Sequence, residues 1–178
     1  NFVETSRRHI SAEAATQIAE NKGKAKLVGV FANASREFCE ETAQKFHLDF
    51  VQLHGEENPT DFQNFPRPII RAIKAANAEK VKEEIKAWEE IADIFLFDGK
   101  NPGSGEAFDF SIFENIKNSL TPDLSRGLMG RPFFIAGGIT PENFRAIAER
   151  SGADGVDTAS GIENAEGEWN MEKIKSFF

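Results

Sequence analysis

Two kinds of segment alternate along the chain. Short runs rich in apolar, β-branched and aromatic residues are separated by longer stretches in which apolar residues recur every three or four positions. Near-continuous apolar runs predict strands covered on both faces, because a strand with one solvent-facing side alternates polar and apolar residues. Six strands are predicted: Leu27 to Phe31, Phe50 to Leu53, Ile69 to Ile73, Ile94 to Phe97, Phe133 to Ala136 and Gly155 to Thr158.

Helical patterns lie around and between these strands, several with start signals such as an N-cap serine or threonine before acidic residues or proline. Seven helices are predicted, starting near Ser11, Ser35, Pro59, Ala78, Phe110, Pro141 and Asn170. Regular alternation of strand and helix predicts parallel strands joined by right-handed crossovers, as in a doubly wound sheet or a (β/α)₈ barrel. No G-x-G-x-x-G follows an early strand, so nothing favours a dinucleotide site.

Composition and net charge indicate a class of protein and exclude some partners. The 178 residues are 40% hydrophobic and 28% charged, which is typical of one soluble globular domain. Because Cys39 is the single cysteine, an intramolecular disulfide is impossible and a reducing, cytoplasmic setting is favoured. A net charge of −8 argues against nucleic acid or a membrane surface as partner. A small anionic substrate remains compatible if helix ends, glycine-rich backbone or arginines hold it.

Glycines follow the last two predicted strands, in Ala136 to Ile139 and in Asp157 to Glu163. Small residues such as Gly137, Gly138 and Gly161 let a phosphate approach backbone N–H groups, and barrels commonly bind phosphate after strands seven and eight. The same glycines also suit tight turns without any ligand.

The fourth predicted strand runs directly into Asp98. Loss of hydration at the end of an apolar strand favours a protonated carboxyl that can donate a proton. A loop-capping aspartate is an equally good interpretation of this residue taken alone.

Six segments, in chain order, resemble the phosphoribosylanthranilate isomerase family. The most specific are Val-Gln-Leu-His-Gly and Val-Asp-x-x-Ser-Gly-x-Glu. All six are Ser6 to Ser11, Val28 to Phe31 with Asn33, Val51 to Glu56, Asp98 to Phe110, Ala136 to Gly138 with Pro141 to Asn143, and Val156 to Glu163. The resemblance implies an α/β fold of the (β/α)₈ TIM-barrel type. It also implies an enzyme of tryptophan biosynthesis that needs no cofactor and takes a phosphosugar-anthranilate substrate.

The implied reaction is an Amadori rearrangement of N-(5-phosphoribosyl)anthranilate to 1-(2-carboxyphenylamino)-1-deoxyribulose 5-phosphate. By this resemblance, Asp98 is the general acid and Arg8 meets the anthranilate carboxylate. The neighbouring Arg7 stands where the family often has proline. The remaining implied substrate contacts are His54, Gly137, Gly138, Asp157, Ser160 and Gly161. A hydrogen-bonded scaffold role for His54 is the alternative, and the three histidines show no metal-ligand spacing.

The general base implied by the resemblance is a cysteine in a Lys-x-Cys-Gly strand, a segment that these residues do not contain. Cys39 falls within a predicted helix and is expected to be a core or helix-surface thiol. We therefore expect the chain to lack strand 1, helix 1 and most of strand 2 of the barrel, with Asn1 to Val3 as the tail of strand 2, and to be inactive in isolation. The alternatives are a non-catalytic phosphate-binding fragment or another phosphosugar isomerase of this fold. The oligomeric state is left open.

Overall fold

A computed structural model describes residues 1–99, 114, 130–165 and 167–178. Every predicted strand forms there, with both ends within one residue of the prediction. The predicted helix near Phe110 lies outside the described residues. The strands are β1 Val28–Phe31, β2 Phe50–Leu53, β3 Ile69–Lys74, β4 Ile94–Asp98, β5 Phe133–Ala136 and β6 Gly155–Asp157.

The described α-helices are α1 Ala12–Asn21, α2 Arg36–Lys45, α3 Ala78–Trp88, α4 Phe144–Ser151 and α5 Met171–Lys175. The predicted N-caps are confirmed at Ser11 and Ser35, whose side chains accept the N–H groups of Ala14 and Phe38. Such a contact satisfies one of the N–H groups that a first helical turn leaves unpaired.

Two helix predictions were wrong in detail. The segment at Pro59 forms only a 3₁₀ turn, Pro59–Phe62. Helix α4 begins at Phe144 rather than at Pro141, because a turn precedes it. In that turn the Thr140 hydroxyl accepts the N–H of Glu142 at 3.3 Å, and Asn143 Oδ1 accepts the N–H of Thr140 at 2.8 Å.

The strands follow their chain order across the sheet, β1-β2-β3-β4-β5-β6, as predicted. Pairing is parallel between β1 and β2, β2 and β3, β4 and β5, and β5 and β6. The fold is therefore α/β with a parallel six-stranded sheet. Parallel strands place all their carboxyl ends at one edge of a sheet, which is the edge that carries reactive groups in such folds.

The chain divides into two compact units, Asn1–Ala72 with Glu90–Ile94, and Ile73–Glu89 with Phe95–Phe178. The core of the first unit includes Phe31, Val51, Leu53, Phe62 and Ile69. The core of the second includes Ile85, Trp88, Phe95, Phe97 and Ile135. Among the described residues, no helix has the length and apolar character of a membrane span.

Cys39 lies in the core of the first unit, in α2, with no exposed surface. Of the two expected positions, core or helix surface, the structure shows the core. Burial, together with the nearby carboxylates of Glu57 and Glu37, raises the pKa of this thiol to about 12. A thiol in that state is a poor proton acceptor at neutral pH.

The first residues of the chain lie beside β1. The N–H of Phe2 donates to the carbonyl of Val30 at 2.9 Å, and its ring stacks on Phe31 and Phe46. Asn1 to Val3 nevertheless form no strand, contrary to the expected strand tail. After this contact the chain turns, since the N–H of Ser6 bonds to the carbonyl of Val3.

Three aspartates fasten the amino ends of the strands. Each aspartate directly precedes a strand and pairs with one residue at the start of the neighbouring strand. Its backbone N–H donates to the carbonyl of that residue, and its carboxylate accepts the N–H of that residue. The pairs are Asp49 with Leu27 (2.9 and 2.8 Å), Asp93 with Ile69 (2.9 and 2.8 Å), and Asp154 with Phe133 (3.0 and 3.0 Å). These aspartate clamps fix the register of β1 with β2, β3 with β4, and β5 with β6.

Candidate active site

The second compact unit brings the carboxyl ends of β4 and β5 together. Asp98 is the last residue of β4 and is only 6% exposed. Gly137 follows β5 with a φ of 92°, and a Cβ there would lie 3.0 Å from Asp98 Oδ1 and 2.8 Å from the Gly99 nitrogen. Glycine is required at this position because of both the backbone conformation and the close approach. The first glycine loop therefore lies directly against the predicted acid.

The loops after β5 and β6 also meet. A Cβ at Gly161 would overlap the carbonyl oxygen of Ile139 and lie 2.6 Å from Thr158 Oγ1. That hydroxyl donates to the same Ile139 carbonyl at 2.7 Å. Gly138 has a φ of 65°, and its carbonyl accepts from Asn143 Nδ2 at 2.8 Å. Both predicted glycine loops are thus in contact along their backbones.

Two further predicted residues lie at the end of β6. Asp157 is the last residue of the strand and is exposed, and Ser160 begins a 3₁₀ helix, Ser160–Ile162. The predicted residues of the second unit therefore lie at the ends of three adjacent strands. Residues 100–110 of the family-like segment that begins at Asp98 lie outside the described residues.

In the first unit, His54 directly follows β2. The backbone N–H of His54 donates to the carbonyl of Phe31 at 2.8 Å. Its ring atom Nδ1 lies 3.4 Å from the side-chain nitrogen Nε2 of Gln52. Arg8 lies in the loop before α1, half-buried, with its Nη2 atom buried, whereas Arg7 is exposed. The N–H of Arg8 donates to Ser6 Oγ at 3.1 Å. Arg8 and His54 are therefore held by backbone contacts within this unit.

Sequence reasoning missed Glu57. Its side chain is 1% exposed and pairs with Arg71, 4% exposed, at 2.8 Å. The carboxylate also accepts the N–H groups of Asn33 at 2.7 Å and Gly55 at 3.0 Å. A signal was present in the sequence, because an arginine within the apolar strand Ile69–Lys74 requires a buried partner.

A cleft of about 590 Å³ opens between the first turn of α2 and the 3₁₀ turn at Pro59. Its lining includes Arg36, which is already paired with Glu40 at 2.7 Å, and four acidic residues: Glu37, Glu56, Glu57 and Asp61. Such a lining is unsuited to an anionic substrate. Within the described parts of the chain, no group of three or more His, Cys, Asp or Glu side chains could hold a metal ion.

Comparison with known proteins identifies the family. The family model for N-(5'-phosphoribosyl)anthranilate (PRA) isomerase matches residues 1–178. The chain belongs to this family. Two similar relatives are the N-(5'-phosphoribosyl)anthranilate isomerases of Streptococcus mutans and Rhizobium rhizogenes. The Streptococcus mutans protein is 35% identical over 97% of this chain and 80% of the relative. The Rhizobium rhizogenes protein is 31% identical over 99% of this chain and 80% of the relative.

Solved structures of phosphoribosyl anthranilate isomerases show the same fold. The Thermotoga maritima structure has a TM-score of 0.82 and 30% identity, covering 99% of this chain and 82% of that one. The Thermus thermophilus structure has a TM-score of 0.76 and 32% identity, covering 98% and 82%. Another family structure, with a TM-score of 0.79 and 27% identity, covers 99% of this chain and 81% of that one. It contains reduced 1-(o-carboxyphenylamino)-1-deoxyribulose 5-phosphate.

Proposed function

We propose that this chain acts in tryptophan biosynthesis, isomerising N-(5'-phosphoribosyl)anthranilate to 1-(2-carboxyphenylamino)-1-deoxyribulose 5-phosphate. The observation that carries the proposal is the position of Asp98. It is a buried carboxyl group at the carboxyl end of a parallel strand, in contact range of a glycine loop, in a chain of this family. At a finer level, we propose that the six strands belong to a (β/α)₈ barrel. The parallel sheet in chain order and the family resemblance support this proposal.

Asp98 is the general acid in this proposal. Its proton goes to the furanose ring oxygen, the bond between that oxygen and C1′ breaks, and the nitrogen lone pair forms an iminium. Removal of the C2′ proton then gives an enamine, which tautomerises to the ketone. Electrons are redistributed within the substrate, so the reaction consumes no oxidant or reductant. Cys39 does not suit the base role, because it is buried in α2 and its pKa is raised to about 12.

The glycine loops are proposed to bind the substrate phosphate through Gly137, Gly138, Ser160 and Gly161. Side chains are small or absent there, and Gly137 and Gly138 have consecutive positive φ values, a conformation that can form a concave turn of backbone. Concave backbone of this kind offers several N–H donors to one anion.

The anthranilate end is proposed to meet Arg8, whose planar guanidinium can donate two parallel hydrogen bonds to a carboxylate. His54 and Asp157 are proposed to bind the sugar hydroxyls or the bridging amine. The acidic cleft beside α2 takes no part, since Glu37, Glu56 and Asp61 in its lining would repel both the phosphate and the carboxylate.

The test follows the loss of the substrate's anthranilate fluorescence with the full-length protein. Asp98→Asn is expected to lower kcat by about 100-fold or more, the range for a missing general acid. The matched control is Asp61→Asn, which makes the same chemical change at an exposed position of the 3₁₀ turn. Undiminished turnover by Asp98→Asn, or an equal loss in both variants, would contradict the assignment.

A further inference from the structure

One carboxylate connects the ends of three strands in the first compact unit. Glu57 Oε1 accepts the N–H of Asn33, two residues after β1, at 2.7 Å. Its Oε2 accepts the N–H of Gly55, after β2, at 3.0 Å, and pairs with Arg71 Nη1, within β3, at 2.8 Å. We call Glu57, Arg71, Asn33 and Gly55 the Glu57 cluster.

The loop after β1 and the loop after β2, which this carboxylate joins, also pack too closely for a side chain at Gly55. A Cβ on Gly55 would overlap the Asn33 nitrogen and lie 2.6 Å from Asn33 Oδ1 and 2.8 Å from Glu57 Oε1. Asn33 has a left-handed backbone with φ 56°, and its Oδ1 accepts the N–H of Glu56 at 2.7 Å. The loop after β1 and the loop after β2 therefore have one mutual arrangement.

Stability alone is a weak explanation for the Glu57 cluster. Two charges withdrawn from water lose much of their hydration, and apolar replacement of a whole buried ion pair is often neutral or stabilising. The same strands already have a carboxylate at their other ends, where Asp49 binds the backbone of Leu27. The second carboxylate lies instead at the carboxyl ends, where reactive groups belong in parallel α/β folds.

We infer that Glu57 is a positioning residue for the isomerase reaction, acting through the backbone of Asn33 and Gly55 to orient His54 and the loop after β1. This inference rests on the proposed function. Glu57 touches no substrate in this assignment, since its side chain is only 1% exposed and the cleft that it borders is acidic. His54 immediately precedes Gly55, so loss of the Glu57 contact moves the His54 side chain directly. A displacement of about 1 Å at a substrate-contacting group can cost about 100-fold in rate.

The experiment compares variants of the full-length enzyme by kcat, KM and denaturant unfolding. Glu57→Gln keeps the shape and one acceptor oxygen but loses the charge, and its kcat is expected to fall about 10-fold. Replacement of both partners, Glu57→Met with Arg71→Met, removes the acceptor and the charge together. This double variant is expected to be more stable than Glu57→Met alone, because no unpaired charge remains buried. Its kcat should still lie about 100-fold below wild type.

Asp49→Asn is the matched control, because it removes a carboxylate from the opposite ends of the same strands. It should lower stability and leave the kcat of folded enzyme unchanged. The ring resonances of His54 in NMR spectra should shift in Glu57→Gln and stay in place in Asp49→Asn. The inference is overturned if kcat in Glu57→Gln equals wild type, or if kcat follows stability alone across all variants. Absence of turnover by wild type would instead refute the proposed function, and the His54 resonances would still test the positioning role.

Discussion

The backbone N–H of Asp49 donates to the carbonyl of Leu27 at 2.9 Å, and the Asp49 carboxylate accepts the N–H of Leu27 at 2.8 Å. Lys22 and Lys26 bind the two oxygens of the same carboxylate at 2.8 and 2.9 Å. One side chain thus connects the end of α1, the loop after it and the amino ends of β1 and β2.

This arrangement predicts a pH dependence. The hydrogen bond from Lys22, the Leu27 N–H and Lys26 hold the pKa of Asp49 well below its ordinary value. A lowered folded-state pKa gives stability that is fully present above the unfolded-state pKa of about 3.9 and is lost as pH falls further. Asp49→Asn should therefore unfold at lower denaturant concentration between pH 5 and 8, and the difference should shrink progressively as pH falls from about 4 toward the lowered folded-state pKa. A gap that widens in acid would contradict the linkage.

Gly137 offers a test of the close approach to Asp98. Gly137→Ala introduces both a strained φ and contacts with Gly99 and Asp98, so it should cost about 1–3 kcal/mol and lower kcat by displacing the acid. Gly152→Ala is the matched control, because Gly152 has a φ of 69° and no atom within 4 Å of an added Cβ. Its kcat should stay at the wild-type value. Equal kcat in the two variants would contradict the contact with Asp98.

Arg8 can be tested through the substrate's carboxylate. Arg8→Lys keeps the charge but loses the two-pronged donor geometry, so binding of reduced 1-(o-carboxyphenylamino)-1-deoxyribulose 5-phosphate should weaken by about 10-fold or more. An analogue without the ring carboxylate should bind the variant and the wild type equally, as measured by calorimetry. Equal weakening for both ligands would show that Arg8 acts elsewhere.

The burial of Cys39 predicts low reactivity. At pH 8 the folded protein should react with a thiol reagent far more slowly than the unfolded protein, because the raised pKa leaves almost no thiolate and the sulfur is inaccessible. Cys39→Ser should cost about 1–3 kcal/mol by burying a hydroxyl, while kcat of the folded enzyme stays unchanged. A large loss of kcat at full folding would restore Cys39 as a candidate base.

The strands were predictable because their signal is local. Parallel strands that are buried on both faces leave uninterrupted apolar runs in the sequence, as at Ile94–Asp98, where every residue is buried. The start of α4 was misplaced because Thr140 and Asn143 bind a preceding turn with the same side-chain groups that cap helices. Glu57 was missed because its partners Asn33 and Arg71 are distant along the chain and meet only after the strands pair.

The site was predictable as a set of residue types more than as a geometry. Asp98 and the glycine loops were found from their places after predicted strands, and the family resemblance supplied their roles. The contacts at Gly137 and Gly161 emerged only with the fold. The aspartate clamps had a visible signal, since Asp49, Asp93 and Asp154 each directly precede a strand. Their role required the partner backbone groups to be known.

The aspartate clamps recur at every second strand pair. At the two pairings between them, β2 with β3 and β4 with β5, a proline takes the place of the aspartate. The carbonyls of Pro68 and Pro132 accept the N–H groups of Val51 and Phe95, but proline has no N–H to donate. The strands therefore form three two-strand modules, β1 with β2, β3 with β4 and β5 with β6, each held by one aspartate clamp. A crossover between β4 and β5 would leave all three aspartate clamps intact, whereas a crossover between β2 and β3 would separate Glu57 from Asn33 or from Arg71. Chimaeras joined between β4 and β5 should therefore fold more often than chimaeras joined inside a two-strand module.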